Sequence, residues 1–125
     1  MQLFLLAALG GALGSGARYL VNVGTARLFG PAFPWATLTV NIFGSAAMGV
    51  LLGLISLRLA GSPEWRTFLL TGILGGFTTF SAFSMDAVQL WERGASGLAL
   101  FYVVGSVCLS ILAFTAGAAF ARHVF

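Results

Sequence analysis

Four long apolar segments, separated by short clusters of charged or turn-forming residues, divide the chain from end to end. They run approximately over residues 3–21, 35–57, 67–90 and 98–121. Each is long enough for the about 20 residues that an α-helix needs to cross a bilayer. The sequence therefore predicts an all-α membrane protein, with a single four-helix transmembrane domain over residues 1–125 embedded in the lipid bilayer.

The composition supports a membrane protein and argues against a nucleic-acid partner. Hydrophobic residues make up 59% of the chain and charged residues only 7%, whereas a soluble domain has roughly one quarter charged residues. The chain has no Lys, and its six Arg are scattered. A polybasic surface for nucleic acid is therefore not expected.

The arginines are balanced across the membrane if the four segments are spans. Three lie on the side of the N-terminus and three on the other side: Arg58, Arg66 and Arg122, against Arg18, Arg27 and Arg93. Orientation is normally set by an excess of Lys and Arg in the cytoplasmic loops. The balance predicts insertion in both orientations, and we hypothesise that two inverted copies pair as an antiparallel homodimer.

Small residues recur four apart in three of the segments. The pairs are Gly10 and Gly14, Gly49 and Gly53, and Gly72 and Gly76. This spacing lets helix backbones approach closely within a membrane. It marks a helix contact without identifying the partner, which is a helix of the same chain or one of a second copy.

The third segment contains a run of glycine, hydroxyl and phenylalanine residues from Gly75 to Ser84. Paired glycines followed by two threonines weaken the hydrogen-bonding pattern of a helix. Backbone groups freed at membrane depth cost several kcal/mol each unless protein or a cavity satisfies them. The run therefore predicts a break in the third helix and a candidate site at that break.

Aromatic and hydroxyl side chains alternate just after the predicted break. Phe80 and Phe83 are three residues apart and share a helix face, and the hydroxyls of Thr79, Ser81 and Ser84 lie beside them. A phenyl ring has a positive edge, so rings presented edge-on can accept a small anion. Packing in the core or against lipid is the alternative for these rings.

Polar residues on other segments extend this candidate site. Tyr102, Ser106 and Ser110 recur every four residues and form one stripe on the fourth segment. Asn41 in the second segment must find partners, either another helix or an ion. Serines often bond their own helix backbone instead. Arg18 closes the first segment as an interfacial anchor or as part of a positive vestibule that gathers anions.

The chain has few residues of the types that carry protons, bind metals or act as catalysts. Asp86 lies toward the end of the third segment, so the central layer has no obvious carboxylate of the kind that proton-coupled exporters need. His123 is the only His and Cys108 the only Cys. No catalytic triad or cluster of metal-binding side chains is expected, and the sequence predicts neither an enzyme nor an organic cofactor.

Three motifs resemble those of the small bacterial fluoride channels called Fluc or CrcB. The strongest is Gly-Gly-Phe-Thr-Thr-Phe-Ser-Ala-Phe over residues 75–83, and the others are Gly-Gly-Ala-Leu-Gly-Ser-Gly-Ala-Arg-Tyr over 10–19 and Ala-Thr-Leu-Thr-Val-Asn-Ile-Phe-Gly over 36–44. The departures from the family pattern exchange one small residue for another, at Ser15, Ala36 and Ala82. With the chain length and the number of spans, the resemblance covers essentially the whole chain.

The resemblance implies an antiparallel homodimer in the bacterial inner membrane. Two pathways between the subunits would export cytoplasmic fluoride passively and give fluoride resistance. It implies that Asn41 orients the phenylalanines and donates to the ion, and that Phe80 and Phe83 present ring edges to it. The backbone carbonyls of Gly75 and Thr78 would hold a structural Na⁺ at the two-fold axis. The remaining positions implied in the pathway are Thr79, Ser81, Ser84, Tyr102, Ser106 and Ser110.

Two other functions are compatible with four short spans. A dual-topology, proton-coupled multidrug exporter would need a carboxylate in the first segment, and none lies between Met1 and Tyr19. A structural membrane protein without transport activity would show no fluoride current.

Overall fold

The computed structural model describes residues 1–58 and 61–125, which fold into helices. In chain order these are α1 (Gln2–Phe29), α2 (Trp35–Arg58), α3 (Pro63–Arg66), a π-helix, π1 (Thr67–Leu74), α4 (Gly75–Phe77), α5 (Phe80–Glu92) and α6 (Ser96–Val124). In this described part of the chain, four helical stretches are long and apolar enough to cross a membrane: α1, α2, Pro63–Glu92 and α6. The predicted all-α fold with four membrane-spanning segments is confirmed.

Helix α1 continues beyond the predicted apolar segment, which stops at residue 21, and ends at Phe29. The Thr25 hydroxyl donates to the Val21 carbonyl at 2.9 Å, so this polar side chain bonds within the helix. The helix ends where Gly30 adopts a φ of 75°, a conformation that glycine tolerates without a Cβ clash. Hydropathy marks the lipid-facing part of a helix, whereas capping decides where it stops.

Helices α2 and α6 pack backbone against backbone along their length. A Cβ at Gly49 would overlap the Phe114 carbonyl oxygen, and a Cβ at Gly117 would overlap that of Ala46. At Gly53 it would lie 2.5 Å from Cβ of Ala121. The bare glycines therefore set the separation of these two helices.

Helix α1 makes the same kind of contact with the first half of the third span. A Cβ at Gly10 would lie 2.9 Å from Cα of Gly72, and one at Gly76 would lie 2.5 Å from the Gly11 oxygen. At Gly14 it would overlap the Ile73 carbonyl oxygen. All six glycines of the predicted pairs thus contact atoms of their own chain, as expected if they pack helices within one chain.

Two buried clusters complete the core. One joins α5 to α6 through Phe83, Leu90, Ala99 and Tyr102. The other lies between α2 and π1 and contains Ile55, Leu70 and Leu74. Many large apolar side chains remain exposed along the outside of the helices. A bilayer is the environment that suits such a surface.

We expect Gly14→Ala to destabilise the protein by about 1–3 kcal/mol, because its methyl group would be forced against rigid backbone of π1. Gly24→Ala is the matched control, since open space surrounds Gly24 on the same helix. The measurement is the thermal midpoint of the detergent-purified protein, followed by size-exclusion chromatography. Equal midpoints for the two variants would contradict the packing described above.

Candidate functional site

The backbone leaves the helical conformation at Thr78 and Thr79. Thr78 has φ −83° and ψ 159°, and Thr79 has φ −156° and ψ 125°, both extended. The Thr78 amide and hydroxyl both donate to the Leu74 carbonyl, at 3.0 and 2.9 Å. The hydrogen bonding of the first half of the span therefore reaches Thr78, and α5 begins at Phe80.

Asn41 of α2 binds this extended backbone with both polar atoms of its side chain. Its Nδ2 donates to the Thr79 carbonyl at 3.0 Å, and its Oδ1 accepts from the Thr79 amide at 2.9 Å. A side-chain amide has two N–H donors on one nitrogen, so one donor of Asn41 is left over. The side chain satisfies the Thr79 backbone and keeps one N–H for another partner.

The start of α5 is capped by Thr79. Its hydroxyl accepts from the Ala82 amide at 3.1 Å, an arrangement that Thr commonly makes at a helix N-cap. In an uninterrupted helix the amides of Thr79 and Ala82 would instead bond to the carbonyls of Gly75 and Thr78. Because both amides bond to side chains, the Gly75 and Thr78 carbonyls lose their helical partners.

Gly44 allows α2 to lie close enough for the Asn41 contact. It is three residues after Asn41, on the same face of the helix. A Cβ at Gly44 would overlap Cγ2 of Thr78. A larger residue at this position would require either the Thr78 side chain or α2 to move.

A groove of about 320 Å³ lies between α2, the start of α5 and α6. It brings together six of the nine residues that the sequence analysis predicted for a pathway: Asn41, Thr79, Phe80, Phe83, Ser106 and Ser110. Thr78 also lines it. Residues from three separate segments therefore meet at one surface, beside the extended backbone.

The two phenylalanines of the groove differ in exposure. The Phe80 ring is 77% exposed and the Phe83 ring 8% exposed, with ring centroids 5.4 Å apart and planes tilted by 43°. On its other side Phe83 lies 5.3 Å from the ring of Tyr102. Phe83 is thus a fixed wall of the groove, and Phe80 extends from the surface of the chain.

Ser106 has an unsatisfied hydroxyl at the groove. The residue is 4% exposed, and its Oγ has no hydrogen-bond partner in the described part of the chain. Buried polar groups are nearly always hydrogen-bonded, and an orphan costs about 1–3 kcal/mol. The position suits a hydroxyl whose partner is a small species in the groove.

The other predicted residues lie near the groove without lining it. The Ser81 hydroxyl is 3.2 Å from that of Thr79, and the Ser84 hydroxyl donates to the Phe80 carbonyl at 2.9 Å. Ser84 therefore bonds its own helix, the alternative noted for such serines. Gly75 is exposed on the first half of the third span.

Sequence reasoning missed a hydrogen bond between buried Tyr102 and part-buried Asp86, which lies behind the groove. The Tyr102 hydroxyl donates to Oδ2 of Asp86 at 3.0 Å, and Tyr102 is only 1% exposed. The Tyr102 hydroxyl, which was expected to face the pathway, is therefore bonded to Asp86 instead. A carboxylate within an apolar segment is by itself a signal of a functional position, and that signal could have drawn attention to Asp86.

Two further cavities lie on the other side of α5. A cleft of about 380 Å³ is lined by residues that include Arg18, Asn22, Thr79 and Asp86. A mouth cavity of about 530 Å³ shares Asn22 and Asp86 with the cleft and includes Arg93. Arg18 is half-buried and lines the cleft rather than the groove.

The four apolar helices and the groove of rings, hydroxyls and an amide define a small membrane protein with a polar recess at a non-helical segment. A family model described as "CrcB-like protein, Camphor Resistance (CrcB)" matches residues 5–118. The chain belongs to this CrcB family.

Several curated proteins are similar over nearly their whole length. "Fluoride-specific ion channel FluC" of Agrobacterium fabrum is 58% identical over 120 residues, covering 96% of each chain. The protein of the same name from Cereibacter sphaeroides is 57% identical, covering 92% of this chain and 90% of its own. "Fluoride-specific ion channel FluC 2" of Nitrobacter hamburgensis is 46% identical, covering 97% and 98%.

We expect Asn41→Ala to expose the Thr79 amide, because its only described acceptor is the Asn41 side chain. Loss of this buried bond should lower the free energy of unfolding by about 1–3 kcal/mol. Hydrogen exchange of the purified protein should show faster exchange around residue 79. Asn22→Ala, on α1, is the control, and equal exchange in the two variants would contradict the role of Asn41 as a clamp.

Proposed function

We propose that the protein is a fluoride-specific ion channel that exports cytoplasmic fluoride passively down its electrochemical gradient, giving fluoride resistance. The observation that carries this is the groove, where two phenylalanine rings and unused hydrogen-bond donors line one space. The names of relatives up to 58% identical support the same function. The protein acts as a channel rather than an enzyme.

The groove offers replacements for the water around a small anion. The Ser106 hydroxyl has no protein acceptor among the described residues, and one N–H of Asn41 is unused. The positive edges of Phe80 and Phe83 add a weak attraction. The described lining has no Lys or Arg, so the ion is bound weakly enough to leave, as conduction requires.

In this proposal, selectivity over chloride comes from the difference in how well the groove compensates each anion for its lost water. A larger anion in the same narrow path would recover less of its dehydration cost from fixed donors and ring edges. Ser110 contributes a further hydroxyl at the groove, and Thr79, Ser81 and Ser84 provide hydroxyls nearby. Tyr102 takes part through its ring, which supports Phe83, while its hydroxyl bonds to Asp86.

We propose that two copies assemble as an antiparallel homodimer in the bacterial inner membrane, with two pathways between the subunits. The groove is open on one side, and Phe80 projects from it with 77% of its surface exposed. A second copy would cover this ring and complete the path. The balance of three arginines on each side supports insertion in both orientations.

We also propose that the third span remains broken at Thr78 and Thr79 in the bilayer, and that a structural Na⁺ binds there. The carbonyls of Gly75 and Thr78 lack their helical donors and so fit the oxygen ligands that hard cations prefer. When bound, the ion would be coordinated by these carbonyl oxygens and would tie two inverted subunits together.

The efflux of fluoride from proteoliposomes, measured with a fluoride electrode, tests the function. We expect Phe83→Ile and Phe80→Ile each to slow efflux by about tenfold or more, because the ring edges are lost. Phe4→Ile is the matched control, since this ring is 68% exposed at the far end of α1. Undiminished efflux in both groove variants would exclude the ring edges.

The same efflux assay distinguishes a hydroxyl that contacts the ion from a hydroxyl that bonds its own helix. We expect Ser106→Ala to slow efflux several-fold without loss of thermal stability, because this hydroxyl has no protein partner to lose and its burial is itself unfavourable. Thr115→Val on the same helix removes a hydroxyl that bonds the Leu112 carbonyl, and it should leave efflux unchanged. Equal efflux in the two variants would remove Ser106 from the pathway.

The dimer is tested by topology and by cation dependence. Reporters fused to the C-terminus should give signal on both sides of the membrane, and signal on one side only would refute antiparallel assembly. Exchange of sodium for N-methylglucamine during purification should reduce the cross-linked dimer fraction. A dimer fraction independent of sodium would contradict the cation site.

A further inference from the structure

A chain of aromatic contacts leads from the α1–α2 loop (residues 30–34) to the groove. The Phe33 ring meets Tyr102 edge to face, with centroids 5.6 Å apart and planes at 89°. Tyr102 contacts Phe83 at 5.3 Å, and Phe83 contacts Phe80 at 5.4 Å. Phe33 lines the mouth cavity and not the groove, and the ring contacts connect it to Phe83 through Tyr102.

The loop is fastened to the helix that carries the groove phenylalanines. Arg93, at the end of α5, donates from Nη2 to the Ala32 carbonyl at 2.8 Å. Within the loop segment, the Trp35 amide donates to the Phe33 carbonyl at 2.8 Å, and the two rings lie 4.8 Å apart. These contacts hold Phe33 against α6 while the loop is tied to α5.

Tyr102 is fixed from three directions. Phe33 contacts its ring on one side, Phe83 on another, and Asp86 accepts from its hydroxyl. Tyr102 is 1% exposed, and side chains packed this closely transmit small displacements to their neighbours. Loss of the Phe33 ring would let Tyr102 relax toward the vacated space, and Phe83 would lose its fixed support.

We propose that Phe33 is a positioning residue for the Phe83 ring, acting through Tyr102, and that Arg93 holds the loop in the required place. This inference rests on the proposed fluoride pathway, in which the angle of the Phe83 ring determines whether its edge faces the ion. The α1–α2 loop is therefore part of the conduction machinery without touching the ion.

Fluoride efflux from proteoliposomes provides the first test. We expect Phe33→Leu to slow efflux about two- to tenfold, the range set by the aromatic pair it removes. Phe33→Tyr, which keeps the ring, should restore most of the rate. Phe4→Leu is the control, because Phe4 is 68% exposed at the far end of α1. Arg93→Gln should slow efflux in the same direction as Phe33→Leu.

A spectroscopic experiment observes the ring at position 83 directly and does not depend on transport. The probe is 4-fluorophenylalanine at position 83, observed by ¹⁹F NMR in detergent. Phe33→Leu and Arg93→Gln should shift or broaden its signal, whereas Phe4→Leu should not. A signal unmoved by Phe33→Leu would overturn the proposal.

The outcomes separate this inference from the proposed function. If Phe83→Ile slows efflux and Phe33→Leu does not, the positioning role is wrong and the channel function stands. If the unsubstituted protein gives no fluoride efflux, the proposed function fails, and a moved ¹⁹F signal would still support the mechanical link from Phe33 to Phe83. General destabilisation by Phe33→Leu without rescue by Phe33→Tyr would overturn the proposal as well.

Discussion

A peptide group that leaves the helical pattern inside a bilayer finds no water, and the protein itself must supply its hydrogen bonds. Here that requirement falls on Thr79, whose amide and carbonyl both bond to Asn41. The contact needs α2 to lie close, and Gly44 provides the space. The groove exists because the chain is extended at this point and the second half of the span begins in a new place.

The glycine contacts between helices determine where α2 lies relative to Thr79. Gly10 and Gly14 hold α1 against π1, and Gly49 and Gly117 hold α2 against α6. Contacts between backbones leave little room for adjustment, unlike contacts between flexible side chains. Asn41, the partner of Thr79, is therefore held in place by the packing of α2 against α6. The geometry of the site depends on this helix packing.

Hydropathy and segment length were sufficient to predict the four spans, and the Gly-Gly-Phe-Thr-Thr run directed attention to the residues beside the groove. Asn41 was expected to need a partner, but one helix's periodicity carries no information on its register against another, so Thr79 could not be identified. The same limit hid the Tyr102–Asp86 bond, which joins α6 to α5. The π-helix Thr67–Leu74 has no sequence signature in an apolar run.

Thr79 lines both the groove and the cleft that contains Arg18. Thr79 is thus shared by two recesses of the chain. Its main chain is bonded to Asn41 and its side chain caps α5, so a substitution at Thr79 would disturb the contact with α2 and the start of α5 together. Substitutions at the other lining residues can thus alter the groove or the cleft separately, whereas a substitution at Thr79 alters both.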